Sequence, residues 1–113
     1  MKMFLCKKCK AVVEGSSNPD GKGCPAGGMH DYTYIAETGS KNYLCAKCRI
    51  LVRTFAQPAD FGCPEGAYHQ WNHLGEAGKT AYACKRCAVR VESAAEPDRK
   101  NCPAGGMHDW KKA

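Results

Sequence analysis

The residues best suited to chemistry are nine cysteines and three histidines laid out at one repeated spacing. Cys6, Cys9, Cys24 and His30 form the first group, Cys45, Cys48, Cys63 and His69 the second, and Cys84, Cys87, Cys102 and His108 the third. Every member advances by 39 residues, so each group reads C, two residues, C, fourteen residues, C, five residues, H. Three thiolates and one imidazole make a closed tetrahedral donor set for zinc, with sulfur at about 2.3 Å and nitrogen at about 2.0–2.1 Å. The spacing predicts three structural Zn2+ ions, one per repeat.

Other uses of these residues fit less well. Disulfides within a group of three thiols always leave one over, and the expected compartment is reducing, where paired thiols more often hold metal. An iron–sulfur cluster accepts cysteine and histidine ligands, but at different spacings. Catalytic zinc keeps an open position beside three protein ligands, whereas a fourth ligand recurs here in every copy. A nucleophilic cysteine needs a free thiol beside a base, and no cysteine is left over. The residues therefore predict no enzyme activity and no small-molecule substrate. His73, four residues after His69, is an alternative donor in the second group. Register assigns the role to His69, because His73 aligns with Tyr34 rather than with His30 and His108.

The elements that position these ligands repeat with them. CPAGGMH stands at residues 24–30 and again at 102–108, with CPEGAYH at 63–69. Pro25 fixes φ where the chain leaves its cysteine, and Gly27 and Gly28 can take the positive φ needed to wind five residues between two ligands. Ala11 and Val13, Ile50 and Val52, and Val89 and Val91 alternate after each CxxC, which predicts a short strand leaving each cysteine pair. Within the fourteen-residue arms the stretches GSSNPDGKG, TFAQPADFG and SAAEPDRKN differ in letters but share length and Pro19, Pro58 and Pro97. Gly39 and Gly78 divide β-prone segments and suggest hairpin connections between repeats. No segment sustains a 3.6-residue period.

These observations predict a small, metal-stabilised, mostly β fold: three tandem β-hairpin modules with little or no helix, at 1–39, 40–78 and 79–113. A unit of this length lies under the roughly 40-residue floor below which a domain needs metal, disulfides or oligomerisation. A structural zinc contributes on the order of 10–16 kcal/mol of apparent binding energy, so metal binding and folding should be one event. The ligand groups led by Cys6, Cys9, Cys24 and His30 resemble a tandem array of zinc ribbons, over nearly the whole chain. The resemblance implies zinc, and as a class such modules serve nucleic-acid machines and protein assemblies alike. Here each module closes on C, five residues, H where ribbons more often end in a second close cysteine pair.

The start MKMFLCKKCK lacks a secretory apolar run, and no stretch approaches the ~20 apolar residues of a membrane span. The expected location is intracellular and cytoplasmic, with no membrane partner. Formal charge is +6. Three divalent ions held by nine thiolates would lower it to about +3, which weakens a simple polyanion reading. Residues 79–113 hold eight Lys and Arg against four Asp and Glu, a larger excess than either earlier repeat shows. Lys85, Arg86, Arg90 and Lys100, with Arg99, Lys111 and Lys112, are candidates for a phosphate-facing patch, and Tyr32, Trp71 and Trp110 for stacking on bases. The cations beside the cysteines, among them Lys7, Lys8 and Lys47, would equally offset thiolate charge, and the three aromatics would equally pack as lids over the metal. Nucleic acid is the leading expected partner, with a protein–protein adaptor or inhibitor surface as the alternative. The second repeat departs from its neighbours at Glu65, Ala67 and Tyr68, which suggests a different contact or packing between the other two.

Overall fold

The computed structural model describes residues 1–17, 19–66, 68–100 and 102–113. Ala67, one of the departures in the second repeat, lies outside the described residues. Seven strands form in chain order: β1 (Lys2–Cys6), β2 (Val12–Gly15), β3 (Tyr32–Cys45), β4 (Leu51–Thr54), β5 (Trp71–Cys84), β6 (Arg90–Ser93) and β7 (Trp110–Lys112). There is no helix among the described residues. The fold is the small, mostly β, antiparallel one expected, with three repeated Cys3His groups.

Each repeat builds a three-stranded antiparallel sheet around its cysteine pair. The strand leading into the pair is central; the strand leaving it folds back on one edge, and the strand after the histidine pairs on the other. In the first repeat β1 is central, with Leu5 opposite Val12 of β2 and Cys6 opposite Tyr32 of β3. In the second, the latter half of β3 is central, with Leu44 opposite Leu51 of β4 and Cys45 opposite Trp71 of β5. In the third, the latter half of β5 is central, with Tyr82 opposite Val91 of β6 and Cys84 opposite Trp110 of β7. The short strands expected after each CxxC are thus β2, β4 and β6.

The hairpin connections expected at Gly39 and Gly78 do not form. Each glycine lies inside a continuous 14-residue strand, β3 or β5, whose first half closes one module and whose second half founds the next. The glycines serve close approach rather than a turn. A Cβ on Gly39 would lie 2.3 Å from the Cα of Phe55, and one on Gly78 2.4 Å from the Cα of Ala94. Thr38 and Lys41 both face Thr54, and Ala77 and Thr80 both face Ser93, so the strand bulges at each glycine. Such bulges bend a strand and increase its twist. The sequence boundaries at 39/40 and 78/79 therefore fall inside strands.

The arms explain their own pattern of fixed length and free sequence. The second and third dock through backbone: Phe55 and Ala59 donate N–H to the Glu37 and Ile35 carbonyls at 3.0 and 2.8 Å, and Ala94 and Asp98 do the same to Glu76 and Leu74 at 3.0 and 2.8 Å. Backbone bonds of this kind constrain spacing and leave side chains free to vary. The apolar core is likewise shared between repeats. One cluster joins Met3, Leu5 and Ile35 of the first repeat to Tyr43, Val52, Cys45, Cys48 and Cys63 of the second. The other joins Leu44 and Leu74 of the second to Tyr82, Val91, Cys84, Cys87 and Cys102 of the third. Leu5 and Leu44, Ile35 and Leu74, and Val52 and Val91 are one 39-residue step apart, so the two cores are copies of one design.

Candidate metal centres

The first knuckle of each site is a tight turn. Lys10, Arg49 and Ala88 donate N–H to the carbonyls of Cys6, Cys45 and Cys84 at 2.9 Å, and each takes a left-handed φ of 62–65°. That conformation costs a non-glycine residue roughly 1–2 kcal/mol, yet it recurs in all three copies because it turns both cysteines of the pair inward. In the second knuckle Gly27 and Gly28 have φ of 104° and 66°, and Gly105 and Gly106 have 98° and 70°, as their sequence suggests. Between the knuckles, Lys8 Nζ donates to the Gly27 and Met29 carbonyls at 2.6 and 3.0 Å. Lys47 Nζ donates to Tyr68 O at 2.9 Å, and Arg86 to Met107 O at 2.7 Å. The second spacer residue of each CxxC thus ties one knuckle to the other.

All four ligand residues gather in each repeat, with donor atoms within 4.8 Å of one another. The Cys6, Cys45 and Cys84 Sγ atoms stand 4.0, 4.0 and 3.9 Å from those of Cys24, Cys63 and Cys102. The Cys9, Cys48 and Cys87 Sγ atoms stand 3.4, 3.6 and 3.6 Å from Nδ1 of His30, His69 and His108. Tetrahedral zinc at ordinary bond lengths would set these edges near ~3.8 Å between sulfurs and ~3.6 Å from sulfur to nitrogen. The donors fit such an ion. His73 instead lies in β5 with its ring 5.1 Å from Tyr43.

The electrostatics also favour a bound cation. Backbone N–H groups of Asp31, Gln70 and Asp109 donate to Cys6, Cys45 and Cys84 Sγ, each at 3.4 Å. Burial raises the Cys6 thiol, but the backbone N–H groups of Cys9, Asp31 and Lys8 and the His30 ring outweigh it and bring it to about 6. Cys84 likewise falls to about 6 against its burial, through Cys87, Asp109 and Arg86 N–H groups and His108. Cys45 is held at about 3, first by a hydrogen bond from Cys48. Its partner Cys48 is pushed well up by the Cys45 thiolate and by burial, and burial first of all lifts Cys87 to about 12. The first cysteine of each pair, Cys6, Cys45 or Cys84, is thus the readily ionised one, and a cation among the thiols would favour further thiolates.

The aromatics after the histidines pack over the sites. Tyr32, Trp71 and Trp110 stack on His30, His69 and His108 with ring centroids 4.8, 4.4 and 4.5 Å apart. Trp71 Nε1 donates to Ala59 O at 2.9 Å and Trp110 Nε1 to Asp98 O at 3.0 Å, which fastens these two lids to the arm. Beneath them Nε2 of His69 and of His108 is buried with no hydrogen-bond partner among the described residues. Coordination through Nδ1 would place the ring proton on Nε2.

The cationic candidates are dispersed. Lys85 and Arg86 lie on the first knuckle of the third module, Arg90 opens β6, and Lys100 is on the arm. Arg86 is engaged with Met107, Arg99 pairs with Glu96 at 2.7 Å, and Lys111 lies 3.9 Å from Asp109. Lys10 pairs with Glu65 at 2.8 Å, so Glu65, one of the departures in the second repeat, does contact its neighbour. Sequence reading missed two exposed aromatics of the second module, Phe55 and Phe61, which are 73% and 56% accessible. Their signal was a break in register: Phe61 stands where the other repeats have Lys22 and Lys100. Phe61 forms an antiparallel bridge with Tyr68, itself 64% exposed. No helix among the described residues is long and apolar enough to cross a membrane. Comparison of the chain with protein-family models, curated proteins and solved structures finds no match.

Proposed function

We propose that the chain is a non-enzymatic recognition protein, held folded by three structural zinc ions in a reducing compartment, that binds single-stranded nucleic acid. Zinc rests on the repeated S···S and S···N distances at three groups of unpaired cysteines. The choice of partner rests on one observation: Phe61 and Tyr68 stand exposed side by side on the second knuckle of the second module, with Lys47 Nζ on the Tyr68 carbonyl and Lys10 Nζ on Glu65 of the same knuckle. Exposed rings flanked by ammonium groups suit stacked bases and their phosphates, at about 1–3 kcal/mol per stacked base. Lys85, Arg90 and Lys100 of the third module, whose side chains have no ion pair among the described residues, would extend the contact. Fluorescence anisotropy with labelled mixed-sequence RNA and DNA oligonucleotides tests this. Affinity should fall steeply with salt, drop on substitution of Phe61 and Tyr68 by Ala, and drop less on neutralising Arg90 and Lys100. Absence of binding at low salt rejects it.

A protein partner is the second reading, favoured by a groove of about 380 Å³ between the first two modules. Tyr34 and Phe55 face it, with Ile35, Ala36, Ala56 and Ala59 along its length. The corresponding positions of the next junction are His73 and Ala94. A partner captured through Phe55 and Tyr34, insensitive to nuclease, would support this reading over the first.

A further inference from the structure

Three sites with the same four ligands differ in what covers them. At the second and third sites all four ligands are buried, whereas at the first Cys9 and His30 are only half-buried. Three separate features produce this difference. The second site is walled by Met3, Leu5 and Ile35 of the preceding module, and the third by Leu44 and Leu74; no described residue plays that part for the first. The arms of the second and third modules are bonded to the preceding strand, while the first arm makes no such backbone bond among the described residues. The lids Trp71 and Trp110 are hydrogen-bonded to Ala59 and Asp98, but at the first site the lid is Tyr32, which makes no such bond to Asp20, the residue in register.

We infer that the first site is an exchangeable metal site: a competing chelator takes its ion while the second and third sites stay loaded. This rests on the zinc reading above. A competing ligand must reach a donor–metal bond before it can replace it, and only Cys9 and His30 offer that access. As the ion leaves, its four ligands lose their common tie and the first module loosens. Its Met3, Leu5 and Ile35 also wall the second site, so unloading proceeds in the order first, second, third. The first site therefore suits a role in metal exchange with a thiol- or carboxylate-bearing acceptor, and the third that of an anchor.

The test follows the full chain by native mass spectrometry during titration with a carboxylate chelator, with thiol alkylation mapped at each step. The expected result is a protein starting at three zinc ions, a two-zinc species that accumulates, and labels confined in that species to Cys6, Cys9 and Cys24. A Tyr32→Trp variant, which keeps every ligand and restores an indole N–H for the Asp20 carbonyl, should slow loss from the first site by about tenfold, the scale on which partners of metal ligands act. Loss of all three ions together, or first labelling at Cys84, Cys87 and Cys102, would overturn the proposal. A chain that takes up no zinc at all would overturn the zinc reading itself, and this proposal with it.

Discussion

The first and third modules carry the same loop, CPAGGMH, and wind it alike: Gly27 and Gly105 have φ of 104° and 98°, Gly28 and Gly106 of 66° and 70°. Yet Cys9 and His30 are half-buried in the first while Cys87 and His108 are buried in the third. The loop sets the geometry of the donors, and the preceding module sets their exposure. A metal site in this chain is thus local in its ligands and borrowed in its cover.

Removing metal should erase the contrast altogether. With on the order of 10–16 kcal/mol of apparent binding energy at stake per site, a stripped chain is expected to lose its β signal in circular dichroism and its dispersed amide resonances in all three modules. Retained dispersion in the third module alone would show that its borrowed core suffices without an ion. A smaller effect separates shared from unshared packing. Leu44→Ala, at a fully covered junction position, should lower stability by about 2–5 kcal/mol, whereas Val13→Ala on the uncovered first module should cost roughly 1 kcal/mol or less. Equal shifts in thermal midpoint would break the comparison.

The lids sharpen it further. Trp71→Phe keeps the stacked ring but removes the donor to Ala59, at about 1 kcal/mol. Tyr32→Phe should change almost nothing, since its hydroxyl makes no hydrogen bond among the described residues; both are read by chemical denaturation of the loaded protein. Another small effect concerns the ion pair of the first junction. Glu65→Ala removes the Lys10 contact, whose partners are each 47% exposed, and should cost less than about 1 kcal/mol, with the difference vanishing at high salt. The second junction has Ala104 in that place, so an effect persisting at high salt would point to packing rather than charge.

The donors, their grouping, the strands after each CxxC and the positive-φ glycines were legible because each is set by residues a few positions apart. What was not legible depends on contacts across repeats. Gly39 reads as a turn residue in isolation, and only the nearby passage of Phe55 shows that its missing side chain clears a path for another backbone. Leu5 and Leu44, or Ile35 and Leu74, repeat visibly, but nothing local says that each reaches into the following module. Phe55 and Phe61 carry no repeat signal, since Ser16 and Ala94 stand in register with the first and Lys22 and Lys100 with the second.

That β3 and β5 each serve two modules puts the sequence period and the folding unit half a strand out of phase. A middle repeat excised at 40–78 would carry two severed half-strands: its own central strand would lose the register fixed by the residues before Gly39, and its last would end before entering the next knuckle. Successive copies of such a unit therefore share a strand at each junction, the closing strand of one running on as the founding strand of the next.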